Sequence, residues 1–241
     1  MRIAPYLALL APREFALRRQ RCPLCRFPLL LRLSRREHGI RCARCRAGPA
    51  HMAIGACIRD VCPDLQQLRV YEMSSRGPLQ RMLRRCSDAL TVSEYVEGVP
   101  PGSTVDGVRC ENVEALSFAD GSFDLCTSTE VFEHVADDGR GFRELHRVLR
   151  PGGHTLFTVP LRLDAPTVER ATLDGGRLRH HLPPEYHDDH LRGAGRVLAF
   201  RTYGADITGR LRAAGFREAR IDTRWCGAFF GFGRPVVVAR R

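Results

Sequence analysis

Two Cys-x-x-Cys pairs constrain this chain more than any other feature. Cys22-Pro-Leu-Cys25 and Cys42-Ala-Arg-Cys45 are separated by 16 residues, inside the roughly 15–20 that joins the two halves of a structural zinc site. Each pair brings two thiolates to one side of a tight turn, and two such turns close a tetrahedral four-sulfur set around one Zn2+. The alternative is a pair of redox dithiols. A closed four-cysteine site has no open ligand position, so a metal held there is structural rather than catalytic. The flanking segments 27–33 and 38–41 are expected to pair as short strands beneath the turns. The other six cysteines, Cys57, Cys62, Cys86, Cys110, Cys126 and Cys226, follow no repeating spacing. They read as buried free thiols rather than a disulfide framework.

Charge is distributed as unevenly as cysteine. The first 50 residues hold 12 Arg against 2 Glu, whereas the remaining 191 hold 26 Arg against 25 acids. No Lys occurs in the chain, which points to codon bias but does not account for the clustering. A basic N-terminal segment suits an acidic partner, RNA among them. No apolar run approaches the roughly 18–20 residues that span a bilayer, and Ile3–Leu10 reads as a short helix rather than a secretory signal. A cytoplasmic protein with no membrane partner is the expectation; the sequence does not indicate an oligomeric state.

The organisation follows from these features. Residues 1–50 form a basic segment, helical over 1–20, that contains the zinc ribbon. Residues 51–66 form a linking helix, and residues 67–241 alternate strand-like and helix-like segments, the pattern of a parallel sheet covered by helices. Strands are expected at 68–73, 89–93, 108–110, 123–128, 154–159, 220–225 and 235–239, the last two as an antiparallel pair. Helices are expected at 79–85, 140–149 and 206–214. Residues 161–200 read as an irregular insert rich in Pro, Gly and His, and act as a substrate cap.

In open α/β sheets a nucleotide-like cofactor binds at the carboxyl ends of the strands. Glu72 and the Ser74-Ser75-Arg76-Gly77 turn follow the first strand, Glu94 ends the second, Asn112 follows the third, and Thr127–Glu130 follow the fourth. Three further runs then appear in order: Glu114-Ala-Leu-Ser-Phe-Ala-Asp-Gly-Ser-Phe-Asp124, Glu130-Val-Phe-Glu-His-Val135, and Phe142-Arg-Glu-Leu-His-Arg-Val-Leu-Arg-Pro-Gly-Gly153. With them the chain resembles the class I S-adenosylmethionine-dependent methyltransferases of the type 11 group over about residues 67–160. The resemblance implies a Rossmann-like α/β sheet of seven strands with the last reversed, and S-adenosylmethionine as cofactor. It also implies roles by position: Glu72, Ser74 and Gly77 at the methionine end, Glu94 at the ribose with Tyr95 beside it as a further cofactor contact, Asn112 and Val113 at the adenine, and Thr129 near the sulfonium. The sequence departs from the family in its glycine turn, which keeps only Gly77, and in having Asn112 in place of the usual acid.

Methyl transfer asks the protein to position two reactants and, where needed, to take a proton. Glu133 and His134 in the cleft, with Tyr186 and His187 in the cap, are the candidate catalytic residues. Glu130, Glu133 and His134 form a Glu-x-x-Glu-His spacing that can gather three ligands on one turn or simply line the cleft. The His180–His190 stretch is read either as an acceptor contact or as a solvated loop. Two functional readings stand beside each other: methylation of a small-molecule acceptor, and modification of an RNA base guided by the basic ribbon. A third is a non-catalytic methyltransferase fold used for interaction.

Overall fold

A computed structural model describes residues 9–189 and 195–241. The expected N-terminal helix at 3–10 lies mostly outside the described residues. The helical reading of 1–20 is corrected from residue 12 on: Pro12–Glu14 form one 3-10 turn and Ala16–Arg19 form strand β1. β1 pairs antiparallel with β2 (Leu29–Arg32), and β2 with β3 (Ile40–Cys42), where Leu30 faces Cys42. The two cysteine turns sit at the ends of this small sheet. Helix α1 (Pro49–Val61) follows, opened by Pro49 at a position that needs no N–H donor.

The larger unit begins at β4 (Arg69–Glu72), which leads through α2 (Pro78–Cys86) to β5 (Ala89–Val92). A small hairpin of β6 (Thr104–Val105) and β7 (Val108–Arg109) comes next, then β8 (Phe123–Thr129), α3 (Asp138–Val148) and β9 (Leu149–Thr158). Strands β10 (Leu161–Arg162), β11 (Val168–Glu169), β12 (Ala171–Asp174), β13 (Arg177–His180), β14 (Tyr186–Asp189), β15 (Gly195–Leu198) and β16 (Arg201–Gly204) build the insert. Helix α4 (Ile207–Ala213), β17 (Glu218–Asp222) and β18 (Val236–Arg240) complete the chain.

Among the described residues the main sheet has six strands in the order β17-β18-β9-β8-β4-β5, not seven. β4, β5, β8 and β9 run parallel, and β18 runs antiparallel to both neighbours. The expected third strand contributes a single parallel bridge, Cys110 to Glu94. The reason lies in Asp106-Gly107, a two-residue turn with φ of 50° and 76° that folds Val108–Arg109 back onto Thr104–Val105. The insert is likewise corrected from irregular to β-rich. Gly175-Gly176 closes β12 on β13, and β14 pairs with β15.

The sheet buries both faces, as a parallel sheet must. Successive residues alternate between two cores. Val70, Leu125, Leu156, Val236 and Val238 pack in one cluster with α1, α2 and Leu24, Leu30 and Ile40 of the ribbon. Tyr71, Cys126, Phe157, Val237 and Ala239 pack in the other with Phe142, Leu145, Ile207 and Leu211 of α3 and α4. The four-cysteine module is thus one wall of the sheet's own hydrophobic core.

Candidate functional site

The carboxyl ends of β4, β5, β8 and β9 lie on one edge of the sheet, and the residues singled out in the sequence gather there. Glu72 ends β4 with 2% of its surface exposed. Thr127 of the neighbouring β8 donates its hydroxyl to Glu72 Oε2. Burial pushes the Glu72 carboxyl up to about 8, the Thr127 bond works against that, and the charge of Glu94 adds to it. The chain then turns through Ser74 and Ser75 to Gly77, which starts α2 with φ of 106°, a value that side-chain-bearing residues avoid. Glu94 Oε1 accepts from both the backbone N–H and the hydroxyl of Ser75 at 2.8 Å. The turn that keeps only one glycine is therefore tied to the end of β5 by a charge-assisted pair of bonds.

Tyr95 is half-exposed beside Glu94. The bridge from Glu94 to Cys110 brings 94–95 next to 110–112. Asn112 Oδ1 accepts from the Glu114 N–H at 2.9 Å, closing a local turn, and Val113 packs at the edge of the second core. The sequence analysis did not single out Glu111, whose buried carboxylate takes bonds from Arg109 and from the Ser117 N–H and hydroxyl. It holds the segment before Asn112 in place.

A second group of polar atoms lies past β8. Ser128, Thr129 and Thr158 hydroxyls, Oε1 of Glu130 and both carboxylate oxygens of Glu133 are buried with no hydrogen-bond partner among the described residues. Glu130 itself adopts φ of 53°, a strained value for a non-glycine residue. Burial raises both carboxyls, Glu133 well above the usual range; the charge of Glu130 adds to the rise at Glu133, whereas Arg234 and the Thr158 hydroxyl hold Glu130 back. Glu133, His134 and His187 offer one ligand atom each within 4.8 Å of one another. The two imidazoles meet edge to face, 4.9 Å between centroids.

Of the two cap residues expected at the site, the fold brings His187 in and leaves Tyr186 out. Adjacent residues of a strand face opposite sides, and Tyr186 is 48% exposed. His181 bonds Thr172 and is exposed, and His180 is exposed on β13; His190 lies outside the described residues. The cap is anchored to the floor by a backbone bond from Phe200 N to Glu133 O (2.7 Å), and its own strands are tied by one from Ala199 N to Glu185 O (2.8 Å). It is also held by Arg201, which donates to Glu169 (3.0 Å) and to the carbonyls of Val135 and Ala136. Glu185, Arg201 and Arg234, which lies 3.8 Å from Glu130 Oε2, carry no motif and are not legible in the sequence.

At the ribbon, the Cys22 and Cys45 sulfurs are 3.6 Å apart and those of Cys25 and Cys42 3.5 Å apart. A disulfide would need ~2.05 Å, whereas four sulfurs ~2.3 Å from one ion lie ~3.8 Å apart. The donor set and its spacing fit zinc. Some of the N-terminal arginines are occupied structurally: Arg18 and Arg32 stack on Phe230, and Arg32 also donates to the Glu14 carbonyl. No helix among the described residues is long and apolar enough to cross a membrane.

Residues 79–157 match the family model described as a methyltransferase domain. The chain is 31% identical over 140 residues to a malonyl-[acyl-carrier protein] O-methyltransferase of Methylococcus capsulatus, covering 56% of this chain and 45% of the relative. It is 49% identical over 49 residues to a ubiquinone/menaquinone biosynthesis C-methyltransferase of Stenotrophomonas maltophilia, 20% of this chain and 19% of that one. The chain thus spans less than half the length of these curated relatives. A solved structure described as a putative S-adenosylmethionine dependent methyltransferase from Listeria monocytogenes superposes with a TM-score of 0.50 at 10% identity, over 79% of this chain and 97% of the other. The fold is that of the class I S-adenosylmethionine-dependent methyltransferases.

Proposed function

We propose that the protein is an S-adenosylmethionine-dependent methyltransferase acting on a small-molecule acceptor, with a structural zinc held by Cys22, Cys25, Cys42 and Cys45. The observation that carries the reading is the pair of acids at the ends of adjacent parallel strands. Glu72 and Glu94 flank the Ser74–Gly77 turn, with the 112–113 segment beside them. Glu94 suits ribose hydroxyls, Glu72 a cationic amino group, and Asn112 and Val113 the two faces of a purine edge. Thr129, with its unpaired hydroxyl, lies on the side toward the second acid group. The bound cofactor supplies an electrophilic methyl group. The chain's own task is to hold an acceptor in line with it and to receive or orient the acceptor's proton, and the Glu133–His134–His187 group under the cap is placed for that. The relatives named for malonyl-[acyl-carrier protein] O-methylation and for ubiquinone/menaquinone biosynthesis support an acceptor other than an RNA base.

Calorimetry with S-adenosylhomocysteine tests the reading. Binding is expected, and Glu94→Gln should weaken it by roughly 1.5–3 kcal/mol, the worth of hydrogen bonds to a charged group. Absence of heat at millimolar ligand would leave only the interaction reading of this fold.

A further inference from the structure

We infer that the ribbon and the cleft are thermodynamically coupled: Arg81 and Arg234 tie the folded ribbon to the cofactor turn and to the cleft floor, so that zinc loading tightens nucleoside binding. The inference rests on the methyl-transfer reading in taking S-adenosylhomocysteine as the ligand. Its first support is where the ribbon sits. β17 and β9 both run antiparallel to β18, so they are parallel to each other and their carboxyl ends share one sheet edge. The 223–235 loop therefore starts at the edge that carries Thr129 and Thr158, and the ribbon grips that loop. Gln20 Nε2 donates to the Ala228 carbonyl at 3.2 Å, and Arg18 and Arg32 stack on Phe230. Phe229 is fully buried in the core that holds Leu24, Leu30 and Ile40 of the ribbon.

The same loop carries the contact onto the floor. Gly233 lets the chain pass tightly against Trp225, where a β-carbon would lie 1.9 Å from the Trp225 carbonyl oxygen. The next residue, Arg234, sets its Nη2 3.2 Å from the carboxylate of Glu37, in the ribbon's 3-10 turn Glu37–Gly39. That nitrogen is also 3.8 Å from Glu130 Oε2. One guanidinium thus faces a ribbon carboxylate and a floor carboxylate together. Glu130 directly follows Thr129, and its φ of 53° is a strained value that persists only where the surroundings fix it. Glu37 and Arg234 are part of those surroundings.

The cofactor turn is reached through α2. Arg81 of α2 donates from Nη2 to the Cys45 carbonyl at 2.9 Å. Arg59 of α1 does the same at the other cysteine turn, donating to the carbonyls of Pro23 (2.8 Å) and Leu24 (3.4 Å). Each cysteine turn is thus bonded by an arginine to a helix. Leu24 also lies where the two helices meet: a β-carbon on Gly55 of α1 would be 2.7 Å from Leu24 Cδ1 and 3.5 Å from Met82 Sδ of α2. α2 begins at Gly77, so its placement sets the Ser74–Gly77 turn. In small metal modules the ligand turns take their shape with the ion, and without it the Cys45 carbonyl and the Glu37 carboxylate lose their fixed positions. Coupling between two sites is reciprocal, so the factor that zinc gives to nucleoside binding is returned by the nucleoside to zinc. Arg81 and Arg234 are positioning residues in this arrangement, one acting through the cofactor turn and the other through Glu130.

The test joins two titrations of the full chain. One is S-adenosylhomocysteine calorimetry with and without zinc. The other is competition for the zinc by a chromophoric chelator, with and without saturating S-adenosylhomocysteine. Removing zinc should weaken the nucleoside by roughly fivefold or more, and the nucleoside should raise by the same factor the chelator excess that takes half of the zinc. Zinc-loaded Arg81→Met and Arg234→Met should each keep their zinc, bind the nucleoside more weakly than the parent and lose most of the shift in the competition. Arg19→Met, at an exposed ribbon arginine, should behave as the parent. The ribbon shares the sheet's core, so a zinc-free chain that unfolds would also couple zinc to any ligand of the folded state. A shift left whole in both Arg81→Met and Arg234→Met identifies that route and overturns the inference. Equal nucleoside affinity with and without zinc overturns it too, while the methyl-transfer reading stands. No binding to the zinc-loaded parent overturns both.

Discussion

Glu72→Gln reports directly on the buried end of β4. The carboxyl is raised from an ordinary 4.5 to about 8, chiefly by burial. Its folded-state value lies above its unfolded one, so between these pH values the native protein holds a proton that the unfolded chain has released. Stability from this group is therefore fully present below about pH 4.5 and is lost as pH rises toward 8. Each tenfold difference in proton affinity is worth about 1.4 kcal/mol, so the shift sets an upper limit of about 5 kcal/mol lost by pH 8. The glutamine side chain matches the protonated acid in size, still accepts from Thr127 and never ionises. Cofactor-free Glu72→Gln should equal the parent near pH 5 and exceed it near pH 8 by roughly 2–5 kcal/mol, which is a rise of roughly 5–15 °C in melting temperature for a chain of this length. Thermal melts from pH 5 to 8.5 measure it. A difference between the two proteins that does not change with pH would refute the placement of a neutral carboxyl at this strand end.

Three further outcomes are expected. Elemental analysis should find one zinc per chain in protein made without chelators; Cys42→Ala should remove it and raise hydrogen exchange in α1 and β4 as well as in the ribbon, because these share one core. Arg201→Met should lower stability by roughly 3–5 kcal/mol in denaturant titrations, since it leaves Glu169 and three carbonyls around a vacated buried site. Filter binding of total RNA should show weak retention unchanged by Arg35→Ala with Arg36→Ala; retention that falls steeply with salt and is cut by that pair would favour the RNA reading instead.

The primary sequence alone determined most strands and helices of the main sheet, but not strand β1, the hairpin in place of the third strand, or the β-rich insert. The Cys22–Cys25 and Cys42–Cys45 spacing specified a four-sulfur cluster, because ligand turns are set by neighbouring residues. The alternation Val70/Tyr71, Leu125/Cys126 and Leu156/Phe157 specified strands buried on both faces, because side chains repeat every two residues along a strand. Glu72 and Glu94 were legible for the same reason, as residues ending such strands. The turn residues Asp106-Gly107 and Gly175-Gly176 were also present in the chain, and read as turns they account for the missing seventh strand and the ordered cap. Only the tertiary structure decided which distant groups meet. His187 reaches Glu133 across 54 positions of sequence, and Arg234 approaches both Glu37 and Glu130. Leu24 and Leu30 of the ribbon enter the same core as Val70. No periodicity encodes such contacts. They depend on where a hairpin docks and which face of the sheet a module covers, and those are settled by packing the whole chain at once.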